Sequence, residues 1–332
     1  WRQPLRRLIP YALASGLLVG LHQSPLVENA NLLIYDLAVQ LRNNHQPAHD
    51  EDELTWPITV VGVSEGDLKR YGWPLDDTLL CRAVQRLDAL GAAAIGFDLY
   101  RDQAKRCLQE EVQRNPRLIS IRNEVDGIAA IPGTPPRQQA FNDLIMDPDR
   151  VVRRDLLHVG GQEEAVRSLP LRLLETAAQT PQLDRKLEQM PDGYWLSERS
   201  GGYQNLDAAG YQTMLSVYPP GRYSSLELAD LLEGDVSEAM IRGRIVLIGS
   251  VARSLRDLFE IPQTRFQNES QFFEVPGVEL HAQRLEALQR LLQDQQLQWV
   301  TARGWQRNLL LLAMVLLGAL IAERPQRIRK SM

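Results

Sequence analysis

Short unbroken apolar runs recur through the middle of the chain: ITVVGVSE (Ile58–Glu65), AAAIGFDLY (Ala92–Tyr100), RLISI (Arg117–Ile121) and Ile245–Ile248 inside GRIVLIGS. Runs of this length, closed by Gly, Ser or charged residues, predict strands buried on both faces. Between the first two the apolar spacing changes to three and four residues. DDTLLCRAVQRLDALG (Asp76–Gly91) aligns Leu80, Val84 and Leu87, offers Asp76 or Asp77 as a cap and Gly91 as a stop, and so predicts a helix. A second helix over 103–114 leads into RLISI. Strand–helix–strand units of about forty residues require a crossover, so the sheet is expected to be parallel and the connections right-handed. The predicted class is α/β, a mostly parallel sheet with flanking helices.

Helical spacing also marks NANLLIYDLAVQLRNN (Asn29–Asn44), through Leu33, Leu37 and Leu41. It marks PGVELHAQRLEALQRLLQ (Pro276–Gln293) through Val278, Ala282, Leu285 and Leu292, with Pro276 near its first turn. Helix is expected over EEAVRSLPLRLLETAAQ (Glu163–Gln179), kinked at Pro170, and over SLELADLLEG (Ser225–Gly234). DPDRVVRRDLLHVGG (Asp147–Gly161) reads as a turn followed by a strand. GGYQNLDAAGYQTMLSVY repeats Gly-Tyr-Gln eight residues apart, which predicts a hairpin with matched ends. HQPAHDEDELTWP is polar and proline-punctuated, a linker, and Trp73-Pro74 reads as a packed turn.

The two ends carry longer apolar segments, LIPYALASGLLVGL (Leu8–Leu21) and NLLLLAMVLLGALIA (Asn308–Ala322). Each is shorter than the ~20 residues that span a bilayer, and flanking arginines and Trp305 can extend the second. Arg2, Arg6 and Arg7 precede the first segment; Arg324, Arg327, Arg329 and Lys330 follow the second. The positive-inside rule then places both ends in the cytoplasm and the middle outside. A cleaved signal peptide is the alternative for the first segment and a buried core helix for the second. The expected organisation is a membrane helix over 1–27, an extracytoplasmic domain over 28–300, and a membrane helix with a basic tail over 301–332. Because the chain starts at Trp1, it is expected to be part of something longer.

With 332 residues and 44% hydrophobic content, the chain can bury a large core. Its net charge is −5, but head and tail each contribute +3, so the middle carries −11. An acidic middle excludes a nucleic-acid platform, which needs a basic patch. Cys81 and Cys107 fit no zinc signature, and no metal site is expected. Two free, half-buried thiols are the first expectation; a disulfide is permitted if the middle lies outside the cytoplasm.

Enzyme signatures are missing: there is no P-loop, no nucleophile elbow and no HExxH among the five histidines. Glu279 and His281, two apart on a helix, point to different faces, and His281 is read as a side chain buried against the sheet. Ligands of parallel sheets sit outside the carboxyl ends of strands. Glu65 ends the first strand; Asp98, followed by Arg101, ends the second; Gly249 and Ser250 end the third, with Asp257 in the loop beyond. Arg153 and Arg154, after Asp147 and Asp149, can clamp an anion or pair within their own turn. These eight residues, Glu65, Asp98, Arg101, Arg153, Arg154, Gly249, Ser250 and Asp257, are the candidate ligand site. A hydrolase built on Asp98 and Ser250 is the weakest alternative, since no triad is recognisable.

In order along the chain, YDLAVQLR, ITVVGVSE, GWPLDD, GAAAIGFDLYRD, DPDRVVRRDLL, RIVLIGSVARSLRD and VPGVELHA resemble the type-two CHASE domain, the cyclase/histidine-kinase-associated sensory extracellular domain, over about Tyr35 to Leu292. FDLYRD and the GGYQ…AAGYQ block resemble cyanobacterial-type members, some of which carry a caspase-like CHAT domain upstream. The resemblance implies an extracytoplasmic sensor in the cell membrane, with no catalysis of its own. It implies signal transmission to a fused cytoplasmic effector such as a cyclase or kinase, and dimerisation through paired helices; it names no cofactor and no ligand. The alternative is a non-sensing scaffold that binds a partner protein in a membrane assembly. Two positions depart from the family pattern: Ser64-Glu65 stands for Asp-Glu, and Arg150 replaces a turn glycine.

Overall fold

A computed structural model describes residues 24–45, 54–123, 125–160, 166–179, 182–191, 193–234, 236–265, 274–293, 300–302 and 304–329, with Leu13, Gly16, Leu17 and Gly20. Most of the first apolar segment, Leu8–Leu21, and the linker core 46–53 therefore lie outside the described residues. Helix α1 runs Pro25–His45, and β1 (Ile58–Val63) follows with all its residues buried. Ser64 ends β1 and caps α2 (Glu65–Tyr71) through a reciprocal box with Asp67, a short helix the apolar spacing did not predict. Asp76 caps α3 (Asp77–Ala89), and Gly91 closes it at φ +83°. Then come β2 (Ala94–Asp98), α4 (Arg106–Arg114), β3 (Leu118–Arg122) and β4 (Gln139–Phe141). The strands β5 (Ile145–Met146), β6 (Val152–Val159) and β7 (Val166–Arg167) precede α5 (Leu169–Ala178) and α6 (Gln182–Glu188). The chain continues through β8 (Tyr211–Met214), β9 (Ser224–Glu227), α7 (Leu228–Glu233), β10 (Ile245–Ser250), β11 (Leu258–Phe259), β12 (Val275–Pro276), α8 (Gly277–Leu292) and α9 (Gly304–Arg329).

The main sheet has the order β4-β3-β2-β10-β1-β9, and every pairing in it is parallel. Its central strand comes late in the sequence: β10 inserts between β1 and β2. The pleat sends alternate residues to two cores. Val61, Val63, Ile95, Phe97, Val246 and Ile248 meet α3, α4 and α7 on one face. Ile58, Val60, Ala94, Ile245 and Leu247 meet α5 and α8 on the other. Gly96 lies on the second face because a Cβ there would sit 2.7 Å from Leu247 and 2.8 Å from Leu173. The second sheet is antiparallel, with β6 pairing β5, β7 and β8. Helix α8 is buried almost all round, because Val278, Ala282 and Leu285 pack on the main sheet while Leu280 packs with Val152 of the second. Helix α1 packs on the second sheet through Leu32 and Val39.

Several expectations change. In α1 the leucine stripe faces outward: Leu33, Leu37 and Leu41 are exposed, and Asp36 and Val39 take the inner side. The helix expected over 163–179 begins only at Leu169, with Val166–Arg167 in a strand and residues 161–165 outside the described ones. Pro170 sits in its first turn, where it needs no donor, and makes no kink. The two Gly-Tyr-Gln copies form no hairpin with each other, since Tyr211–Met214 pairs with β6. The first half of Ser225–Gly234 is the edge strand β9. Trp73-Pro74 is a cis turn whose Trp73 is exposed. Among the described residues, no helix is long and apolar enough to cross a membrane.

Cys81 and Cys107 are joined in a disulfide, contrary to the expectation of free thiols. It staples the buried face of α3 to α4 across a sequence separation of 26 residues. Loop-closure entropy assigns such a link about 3 kcal/mol. The C81S/C107S double variant should lose about that much in a denaturant titration; a midpoint equal to the parent's would show that the bridge adds no stability.

Candidate functional site

The helices that follow β1, β2 and β9 pack on one face of the main sheet, whereas β10 leads through β11 and β12 to α8 on the other. The chain path thus reverses at β10, and parallel sheets open crevices outside the carboxyl ends of strands where this happens. Register puts Gly249 opposite both Gly62 and Asp98 at that end. Gly249 is required by crowding: a Cβ there would stand 2.7 Å from Val278 Cβ and 3.2 Å from Asp98 Oδ2. Gly277, the first residue of α8, is required in the same way, with both Asp257 carboxylate oxygens 2.8 Å from where its Cβ would be. Asp257 therefore lies against the first turn of α8, the end where a negative charge is best placed.

Asp98, Asp257 and His281 form the centre of this site. Asp98 Oδ1 accepts from Asn142 Nδ2 at 2.8 Å, and Oδ2 faces His281 Nε2 at 3.8 Å. Burial, with the charge of Asp257 second, pushes the Asp98 carboxyl up to about 7. Burial pushes Asp257 up to about 6. Both carboxyls are thus shifted toward neutral pH, and the Asp257 charge adds to the shift of Asp98. His281 is buried, as expected, and burial together with the Arg284 charge holds its imidazole well below the usual range. Arg284 Nη1 lies 3.0 Å from His281 Nδ1. Arginine only donates, so Nδ1 accepts and the neutral ring carries its proton on Nε2, toward Asp98.

Arg284 extends the cluster into the second sheet. Its Nε donates to Asp155 Oδ1 at 2.6 Å and its Nη2 to the Leu156 carbonyl at 2.9 Å, both on β6. Two residues back on β6, Arg153 is fully buried and its donors are all taken. Nε and Nη2 meet Asp36 of α1 at 2.7 and 2.8 Å; Nη1 and Nη2 meet Asp147 and Asp149. Burial works against the Arg153 charge, but hydrogen bonds with Asp36, Asp149 and Asp147 outweigh it and hold the group well above its ordinary value. Arg154 donates to Asp147 and to Gln212 Oε1, and Tyr203 OH donates to Asp147 Oδ2 at 2.8 Å. Of the two readings of the arginine pair, this geometry is the internal ion-paired turn.

Arg150, where the resemblance implies a turn glycine, has φ +68°, the left-handed conformation that glycine favours. A residue with a side chain carries a cost of about 1 kcal/mol there.

The predicted site residues thus divide. Asp98, Gly249 and Asp257 meet. Ser250 ends the same strand, but the pleat puts it on the opposite face from Gly249 and Asp98, buried, with its Oγ lacking a hydrogen-bond partner among the described residues. Asp98 and Ser250 therefore cannot act as an acid–nucleophile pair. Glu65 is exposed and receives Ser254 N at 2.8 Å, tying α2 to the loop after β10, and that contact lowers its pKa. Arg101 turns back to pair with Asp77 at 3.2 Å and to lie 5.7 Å over the Trp73 ring. Arg153 and Arg154 belong to the second sheet. Sequence reasoning missed Arg284, although its i,i+3 spacing from His281 places both on one helix face. Asp36, far away in sequence, gave no comparable sign. Among the described residues no group of three or more His, Cys, Asp or Glu could hold a metal ion.

A second block joins α1 and the 300–302 segment to this cluster. The Gly201-Gly202-Tyr203-Gln204 turn touches the 300–302 segment at Gly201, where a Cβ would sit 3.2 Å from Thr301. It touches α1 at Gly202, where a Cβ would sit 3.1 Å from Asn31, and Gln204 N donates to Glu28 of α1 at 3.1 Å. Thr301 N and Oγ1 both donate to the Gly193 carbonyl.

A family model described as the CHASE2 domain matches residues 13–321. No curated protein and no solved structure matches the chain.

Proposed function

Because the chain belongs to the CHASE2 domain family, a family of extracytoplasmic sensory domains, we propose that it is a membrane-anchored input module passing its state to a cytoplasmic effector through α1 and α9. One observation carries this reading: Asp98 faces His281, His281 accepts from Arg284, and Arg284 is tied to Asp155 on β6, the strand that two residues earlier holds Arg153, whose guanidinium grips Asp36 on α1. A change of charge at the sheet's carboxyl end has a physical route to the helix leading toward the N-terminal apolar segment. The Gly201–Gln204 turn supplies a common contact for α1 and the segment entering α9.

Membrane anchoring is supported by α9, whose Leu309, Leu310, Leu312, Met314, Leu316 and Leu317 are all exposed, an arrangement that suits lipid. Placement outside the cytoplasm is supported by the disulfide, which persists in oxidising compartments. The outward stripe of α1, Leu33, Ile34, Leu37 and Leu41, suits a second copy of the chain, so the module acts as a homodimer.

Fusing a cyclase reporter after the C-terminus tests the reading in cells. Asp98→Asn and Arg284→Gln should each change basal cyclase output while membrane levels of the fusion stay constant. Output identical to the parent's in both variants would sink the transmission route. An inactive reporter in the parent fusion would sink the cytoplasmic placement of the C-terminus.

A further inference from the structure

On the other flank of β10, the carboxyl ends of β1 and β9 open into a cavity of about 430 Å³ between the loop after β10 and the start of α8. Ligand pockets commonly run from roughly 300 to 1,000 Å³, and this one lies where the chain path reverses, the preferred ligand position in a parallel sheet. We propose that it binds a small organic cation, a di- or polyamine.

The lining sets the chemistry. Val60, Leu226, Val251 and Pro276 make apolar walls, and Glu227, Asp230 and Glu279 bring three carboxylates to the same space. No Lys, Arg or His is among the described residues that line it. Glu227 and Asp230 make no ion pair among the described residues. Glu279, in the first turn of α8, is partly buried and accepts Gly221 N at 2.6 Å, and burial raises its pKa. Arriving positive charge would offset that burial penalty.

The cavity is also held open. Tyr223 on its wall donates to Glu286 at 2.8 Å, and Glu286 is fixed by Arg222 and Arg290 at 2.9 and 2.8 Å. Both arginines thereby pair with a carboxylate that is not among the lining residues. The lining carboxylates are not a group that could hold one metal ion. Separated carboxylates with apolar surface between them match separate ammonium groups on a hydrocarbon chain, each end paired and the methylenes buried.

The site stands on its own geometry; only its role as the input of the module rests on the sensory reading. Calorimetric titration of the full chain in lipid nanodiscs with putrescine and spermidine tests it, with MgCl₂ as the inorganic control. Saturable binding of at least one amine is expected below about 1 mM. E279Q and the E227Q/D230N double variant should each weaken it about tenfold, with the ligand-free unfolding midpoint no lower than the parent's. No saturable heat with either amine overturns the proposal, as does amine binding that survives both variants. Mg²⁺ binding with the same sensitivity to the variants overturns the assignment to an organic cation. Amine binding that leaves the cyclase output unchanged would keep the site and sink its role as input; altered output in Asp98→Asn without amine binding would keep the transmission route and sink the site.

Discussion

Replacing Arg153 by Met should cost the fold about 3–5 kcal/mol, the usual penalty for removing one partner of a buried ion cluster. Asp36 and Asp147 are buried, and each loses charge-assisted hydrogen bonds when the guanidinium goes. Arg154 still reaches Asp147 and Arg265 still reaches Asp36, so the acids are not wholly abandoned and the lower end of the range is favoured. Asp36→Asn should cost less, because Arg153 keeps Asp147 and Asp149. Denaturant titration of the full chain reads both. If R153M proved no worse than D36N, the arginine would not be the centre of the cluster.

Asp98→Asn should stabilise the protein in alkaline solution and leave it nearly unchanged in acid. The folded carboxyl sits near 7, above its ordinary 3.8, so between these values the folded state holds a proton that the unfolded state has lost. Stability from this group is therefore full below pH ~4 and is lost as pH rises through 7. An amide stands in for the protonated acid at all pH values and can still accept from Asn142. The difference at pH 8 is about 4 kcal/mol in favour of the variant. Unfolding midpoints taken across pH 4–8 should converge at the acid end; parallel curves would mean that Asp98 is not the titrating group. Asp257, raised to about 6, adds a smaller trend of the same sign in both proteins.

The parallel sheet was legible because strands buried on both faces leave no polar alternation, and because α3 carries its own cap and stop. Spacing alone misassigned the stripe of α1. Leu33, Leu37 and Leu41 look like a core face, yet the side that packs on the second sheet holds Asp36, whose burial depends on Arg153 more than a hundred residues later in sequence. Leu226, Leu228 and Leu231 fit either period over so few residues, so spacing predicts helix where the edge strand β9 begins the segment. The strand-end rule names Asp98, Gly249 and Asp257, which the fold brings together. It could not resolve the pleat, which separates Ser250 from Gly249, nor the turn that sends Arg101 back to Asp77. The cavity carboxylates Glu227, Asp230 and Glu279 come from different elements and share no spacing, so only the fold brings them together.

The late arrival of β10 has a consequence for how the protein is made. Strands β1 and β2 never pair with each other; both wait for residues 245–250 to fill the slot between them. Until that segment emerges, an N-terminal fragment carries two apolar strands with open inner edges, the pattern that invites pairing with other chains. A nascent chain would hold that unfinished sheet for more than a hundred residues of synthesis. Chaperone demand should therefore fall sharply once β10 is delivered, well before α9 is complete.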